Sequence, residues 1–305
     1  MRTARREELV ALAAALLTVG LWASAFVGIR SAGRDLSPGA LTLCRLVVGA
    51  LVLGGVVALK RERLPTKRDL PAILLCGVLW FGIYNVVLNE AERRVDAGTA
   101  AMLVNIGPIF IAVLAGVVLR EGFPRALVAG CAIAFAGAIV IGLATSEHGL
   151  RAGWGAVLCV VAALAYAGAV VAQKPLLARV SPLQITFLAC TVGAIACLPF
   201  APTLASDFGD ARGSAIAWGI YLGVVPTAIG FTTWAFALAR TTAGRMGSTT
   251  YLVPPLASLM GWAILGESPP GLAFAGGALC LSGVIVARGE LRRFRRPAPA
   301  AAPGA

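Results

Sequence analysis

Long apolar runs separated by short polar breaks set the architecture of this chain. Ten stretches are continuously apolar, each close to the roughly 20 residues a helix needs to cross a hydrocarbon core. They are 9–29, 39–59, 70–89, 98–119, 126–144, 153–173, 183–200, 216–238, 246–265 and 272–287. None alternates apolar with polar positions, so membrane-barrel strands are excluded. The pattern predicts an all-α integral membrane protein of about ten transmembrane helices. The first run follows Arg2, Arg5 and Arg6 and contains the small-residue sequence Ala23-Ser24-Ala25. It is longer than a cleavable signal core, so it reads as a retained helix behind a short cytoplasmic tail, residues 1–8.

Composition agrees. Hydrophobic residues make up 59%, charged residues 13%, and the mean hydropathy is +0.86. A soluble domain carries about a quarter charged residues to cover its surface. The net charge of +12 does not imply nucleic acid, because the basic residues sit in clusters between apolar runs, as in Lys60, Arg61, Arg63, Lys67 and Arg68. With both termini cytoplasmic, nineteen Lys and Arg fall in cytoplasmic segments against six in outer ones, with Arg45 inside a span. That bias is expected of a multi-pass protein of a cell (inner or plasma) membrane. The seven cysteines lie inside apolar runs without paired spacing, so neither a disulfide framework nor a metal site is expected.

The two halves repeat. Trp22-Ala23-Ser24 and Ser37-Pro38 recur as Tyr166-Ala167-Gly168 and Ser181-Pro182, 144 positions on. Ala97-Gly98, Pro108, Leu119, Glu121, Pro124, Gly130 and Gly137 recur 146 positions on as Ala243-Gly244, Pro254, Leu265, Glu267, Pro270, Gly276 and Gly283. Residues 9–146 and 152–288 thus form two five-helix repeats, with a basic and then disordered cytoplasmic tail over 289–305. Five is odd, so the second repeat is inverted relative to the first. Such pairs exist in two pseudo-symmetric arrangements around a midplane site, the hallmark of alternating access.

On these residues, with Trp22-Ala-Ser-Ala-Phe26 and Arg45, the chain resembles the drug/metabolite transporter superfamily, in its ten-helix EamA-type branch with two EamA repeats. The resemblance spans nearly the whole chain. It implies a secondary-type transporter, with export the expected direction, of small organic metabolites or amphipathic drugs, without a cofactor, but it does not name the solute, the coupling ion or the oligomeric state. The second repeat departs from the first at Ala189, which stands where the first has Arg45.

Polar groups inside a bilayer are costly and direct attention to function. Arg45 is the one charged residue well inside a predicted span. Trp22, Asn85 and Asn105 fall at a similar depth, so the four are expected at one level in the outer half of the membrane. Their inverted counterparts Tyr166, Phe231 and Tyr251 are aromatic; Tyr84, Trp80 and Trp234 extend the amphipathic surface. Pro108 and Pro254 break backbone bonding at matching depths, and Ser24 neighbours Trp22. Arg45 either meets solute or snorkels as structural glue, and Asn85 and Asn105 either touch solute or bond between helices. All fourteen acidic residues lie in tails, loops or span ends, which leaves either passive facilitation or ion coupling through Glu90 or another boundary acid. A membrane-embedded enzyme or a non-transporting scaffold is the alternative. The sole histidine, His148, lies in a loop, and no metalloprotease or nucleophile-elbow motif is present.

Overall fold

In a computed structural model, the protein is described over residues 2–62, 65–91, 93, 103–145, 154–265 and 271–289. Ala97-Gly98, His148, Glu267, Pro270 and the tail after Gly289 lie outside them. The described residues are helical and form no strand, as lipid requires: without water, each backbone amide must find its partner within its own segment.

The membrane helices are α1 (Arg2–Ala32), α2 (Pro38–Lys60), α3 (Leu70–Ala91), α4 (Gly107–Val118), α5 (Arg125–Thr145), α6 (Trp154–Leu176), α7 (Pro182–Ala196), α8 (Gly213–Ala239), α9 (243–265) and α10 (Gly271–Gly289). Five of them, α1, α2, α3, α6 and α8, are long and apolar enough to cross a membrane on those grounds alone. The others are shorter or broken, and packing completes the two sets of five. Side chains such as Leu51, Leu59 and Val117 are exposed, as suits a lipid-facing surface.

Three boundaries differ from the sequence expectation. The seventh span ends at Ala196 instead of 200, because Pro199 cannot continue the ladder. A 3₁₀ turn (Leu198–Phe200) and a short helix (Ala201–Asp210) without buried residues follow, the pair bending by 52° from α7. The ninth span is divided into Ala243–Thr249, a 3₁₀ turn Thr250–Leu252, and Val253–Leu265. In the fourth, helix at Leu103 and Val104 is interrupted by a turn at Asn105 and Ile106 and resumes at Gly107. Pro108 and Pro254 therefore occupy first turns, where a missing donor costs nothing.

The repeat is visible in the packing. A Cβ on Gly77 of α3 would lie 2.6 Å from Val192 Cβ and 2.7 Å from the Ala189 carbonyl of α7. A Cβ on Gly223 of α8 would lie 2.6 Å from Val48 Cβ and 2.8 Å from the Arg45 carbonyl of α2. Each residue of the first contact maps onto one of the second at the sequence offsets. Helices α5 and α10 cross in the same reciprocal way, Gly130 on Gly283 and Gly137 on Gly276. Two thiol bonds join residues that are repeat equivalents of each other: Cys190 Sγ to the Leu46 carbonyl, and Cys280 Sγ to the Ala134 carbonyl. A residue that meets its own counterpart lies beside the pseudo-twofold axis, which therefore passes close to both the α2–α7 and the α5–α10 crossings. Both α3 and α8 also contain a π-helical stretch at matching positions, Gly77–Tyr84 and Gly223–Ile229. Such wide turns recur at functional sites.

We call the side carrying the α1–α2 and α7–α8 turns the far face, and the opposite side the near face. Ion pairs tie loops at each: Asp35 with Arg212 at the far face, Asp69 with Arg179 at the near face.

Candidate solute cavity

A cavity of about 90 Å³ lies between the two repeats. Its wall runs from mid-helix toward the far ends of α1 and α3, through Ile29 and Leu88, and along the irregular starts of α4 and of the second part of α9. Non-helical backbone at membrane depth is tolerated where it lines a cavity.

The floor is aromatic. Trp22 stacks on Trp234 at 4.9 Å and 28° and contacts Phe231 at 5.2 Å and Trp80 at 5.9 Å. Trp80 in turn meets Tyr166 at 5.1 Å and Phe231 at 4.9 Å. Edge and offset contacts of this kind stabilise by about 0.5–1.5 kcal/mol each beyond the area they bury. Trp80 and Trp234 are buried, so they close the passage toward the near face.

The π turn of α8 supports two wall residues. The Trp22 Nε1–H donates to the Pro226 carbonyl at 3.3 Å. Arg45 donates from Nε and Nη2 to Thr227 Oγ1 at 3.1 and 3.0 Å. Arg45 is 5% exposed, and it is the one charged side chain among the described lining residues. The π turn of α3 loosens backbone pairing, and the Asn85 amide returns to the Trp80 and Phe81 carbonyls at 2.9 and 3.1 Å.

Trp22, Arg45, Tyr84, Asn85, Asn105 and Pro108 share this cavity, with Tyr166 and Phe231 at its base. Trp234 is packed behind the floor, and Tyr251 and Pro254 are buried outside the lining. Ser24 turns away, bonding Tyr221 Oη at 2.7 Å in a side groove between α1 and α8. Glu90 is half-buried at the end of α3, beyond the lining. The sequence reading missed Thr227 and Thr250, because threonines inside apolar runs carry no periodic signal. Among the described residues no group of three or more His, Cys, Asp or Glu is placed to hold a metal.

Two segments, residues 9–143 and 153–289, each match the model of the EamA-like transporter family. The chain belongs to that family. A protein of Streptantibioticus cattleyicolor named "Probable terminal-alkyne amino-acid exporter" is 40% identical over 93% of this chain and 95% of its own length. The Bacillus subtilis protein "Uncharacterized transporter YdfC" is 32% identical over 88% of this chain and 87% of its own. A "S-adenosylmethionine/S-adenosylhomocysteine transporter" of Chlamydia muridarum is 25% identical over 94% of both. A crystal structure of 21% identity superposes with a TM-score of 0.78 over 93% of this chain and 98% of the other, which bears on the fold alone. This EamA-like protein is a multi-pass membrane transporter of a small-molecule solute, as its family is one of transporters.

Proposed function

We propose that this EamA-like protein exports a small amphipathic amino acid or related organic acid from the cytoplasm by alternating access, with both termini cytoplasmic and the far face external. The carrying observation is the cavity itself. It ends at mid-membrane on an aromatic floor, and its described lining has a single charge, the Arg45 guanidinium held in orientation by Thr227. A guanidinium suits a carboxylate, while the rings of Trp22 and Tyr166 suit a short apolar or unsaturated side chain. The name of the 40%-identical relative supports both the solute class and the direction. Glu90 at the rim is the proposed coupling acid.

The test is flux in reconstituted vesicles with labelled amino acids, nucleosides and cationic drugs. Saturable exchange is expected for carboxylate-bearing solutes. Arg45→Ala should weaken them by about one to two orders of magnitude, the loss of a charged hydrogen bond of roughly 1.5–3 kcal/mol. Equal transport of solutes lacking a carboxylate, or an unchanged Arg45→Ala, would sink this reading. Glu90→Gln should flatten the pH dependence of flux; an unaltered profile removes Glu90 from coupling.

A further inference from the structure

The far-face cavity and the repeat register together specify a second chamber that is closed in this structure. Ala25, Ile29, Leu88 and Asn105 line the open cavity. At the offsets established above, their counterparts are Ala169, Gln173, Trp234 and Tyr251. All four are 1% exposed or less. The cavity-wall set is 4–8% exposed and borders open space, whereas the equivalent set is packed shut.

An independent feature falls on the same positions. Among the described residues, Gln173 Oε1, Trp234 Nε1, Tyr251 Oη and Asn89 Oδ1 are buried side-chain atoms without a hydrogen-bond partner. Three belong to the counterpart set. Tyr166, at the base shared with the open cavity, has the Thr250 hydroxyl within hydrogen-bonding reach and is set aside. Only Asn89 lies elsewhere. A buried polar atom without a partner loses its hydration, at a cost of about 1–3 kcal/mol, and a native structure needs a reason to keep one. Clustering of such atoms along the inverted image of a cavity supplies that reason: they face water or solute in the other state.

We infer that Gln173, Trp234, Tyr251 and Ala169 line a solute-binding chamber that opens to the near face when the far-face cavity closes. This rests on the alternating-access reading. Its chemistry differs from that of the open cavity. The counterpart of Arg45 is Ala189, so the chamber offers a side-chain amide, an indole N–H and a phenol but no guanidinium. It receives the solute through neutral hydrogen bonds and aromatic surface. Near-face contacts hold it shut here. Lys174 Nζ, beside Gln173, donates to the Leu238 and Thr241 carbonyls at 2.7 and 2.6 Å, and Glu121 accepts from the Ala243 and Gly244 amides at 2.9 and 3.2 Å.

Thiol labelling of the full-length protein in oriented membrane vesicles tests this, with an impermeant maleimide added on one side at a time. The seven native cysteines are buried, and the unmodified protein serves as blank. Ala25→Cys should label from one side only, and Ala169→Cys and Gln173→Cys from the opposite side only. A minor conformer populated at about 0.1–10% should label at that fraction of the rate of an exposed thiol. Transported solute should protect all three. Ala162→Cys, buried on α6 and equivalent to the buried Thr18, should stay below that rate. If Ala169→Cys and Gln173→Cys resist label in a protein whose flux is intact, or label no faster than Ala162→Cys, or label from the same side as Ala25→Cys, the chamber does not exist although transport stands. Absence of any flux in the unmodified protein would instead remove the transport reading itself. Ala169→Cys adds a single sulfur atom, so it remains informative should Gln173→Cys fail to fold.

Discussion

Replacing Gly137 by alanine tests the α5–α10 crossing most directly. A Cβ at Gly137 falls 2.6 Å from both Cys280 N and the Gly276 carbonyl, about 0.8 Å short of the 3.4 Å where ordinary contact begins. Both neighbours are backbone, so no side chain can swing away and the helices must part. Parting by 0.5–1 Å forfeits about a quarter to a half of the dispersion at each contact along the seam. Overpacking of this kind costs about 1–3 kcal/mol. Gly276→Ala pushes on the same seam from the other side, 2.7 Å from the Gly137 carbonyl. The double variant should therefore lose less than the sum of the singles, because the first has already opened the gap. Gly20→Ala and Gly55→Ala are the controls. They lie in helices with nothing within 4 Å, and there alanine gains up to about 1 kcal/mol in helix propensity. Reversible unfolding in mixed micelles, followed by tryptophan fluorescence, reads all five variants. If Gly137→Ala matches Gly55→Ala in stability, or if the double variant loses the full sum, the close-packed seam is refuted.

Thr227→Val removes the acceptor that holds Arg45; with about 1.5–3 kcal/mol per charged hydrogen bond, apparent solute affinity in the flux assay should fall about ten- to hundredfold, and Thr227→Ser should retain it. The hydrogen bonds of Thr66 and Arg179 hold the Asp69 carboxyl below its ordinary value of 3.8. A depressed folded-state pKa adds stability that is complete above the unfolded value and fades as pH falls through the folded one, so a melting-temperature gap between the native protein and Asp69→Asn should hold at neutral pH and close below 3.8. A constant gap down to strong acid would contradict the pairing. Glu121→Ala removes the carboxylate that accepts from the Ala243 and Gly244 amides at the start of α9 and should cost about 0.5–2 kcal/mol, read as a lowered melting temperature; no change would mean that the near-face contact is not stabilising.

The membrane helices were legible because lipid leaves a chain few options, and the runs around Val52, Ala163 and Ala235 announce spans without further context. What escaped was the depth at which each helix changes character. The bend after Ala196 follows from Pro199, but the amphipathic Ala201–Asp210 helix reads as loop, since Pro202, Ser206 and Gly209 interrupt its pattern. The π turns left no mark, because Gly77 and Gly223 look like many other glycines until their neighbours on α7 and α2 are known. At the site, the shared level of Trp22, Arg45, Asn85 and Asn105 could be counted along the spans. The direction in which Ser24 points could not, because one turn of helix separates a cavity wall from a lipid-side groove. Gln173 escaped because, next to Lys174, it resembles an ordinary span end; only the register against Ile29 sets it apart.

The two thiol bonds beside the pseudo-axis carry a consequence for divergence. A structure element that touches its own rotated copy is what a homodimer of a single five-helix polypeptide would present. In such a dimer each substitution appears twice, and an arginine at position 45 would bring a mate at 189, next to Cys190 and therefore close to it across the axis. Two like charges confined there, in a medium that solvates neither well, would repel strongly. Fusing the halves into one polypeptide lifts that restriction, so one wall can hold a cation while its twin stays methyl-sized.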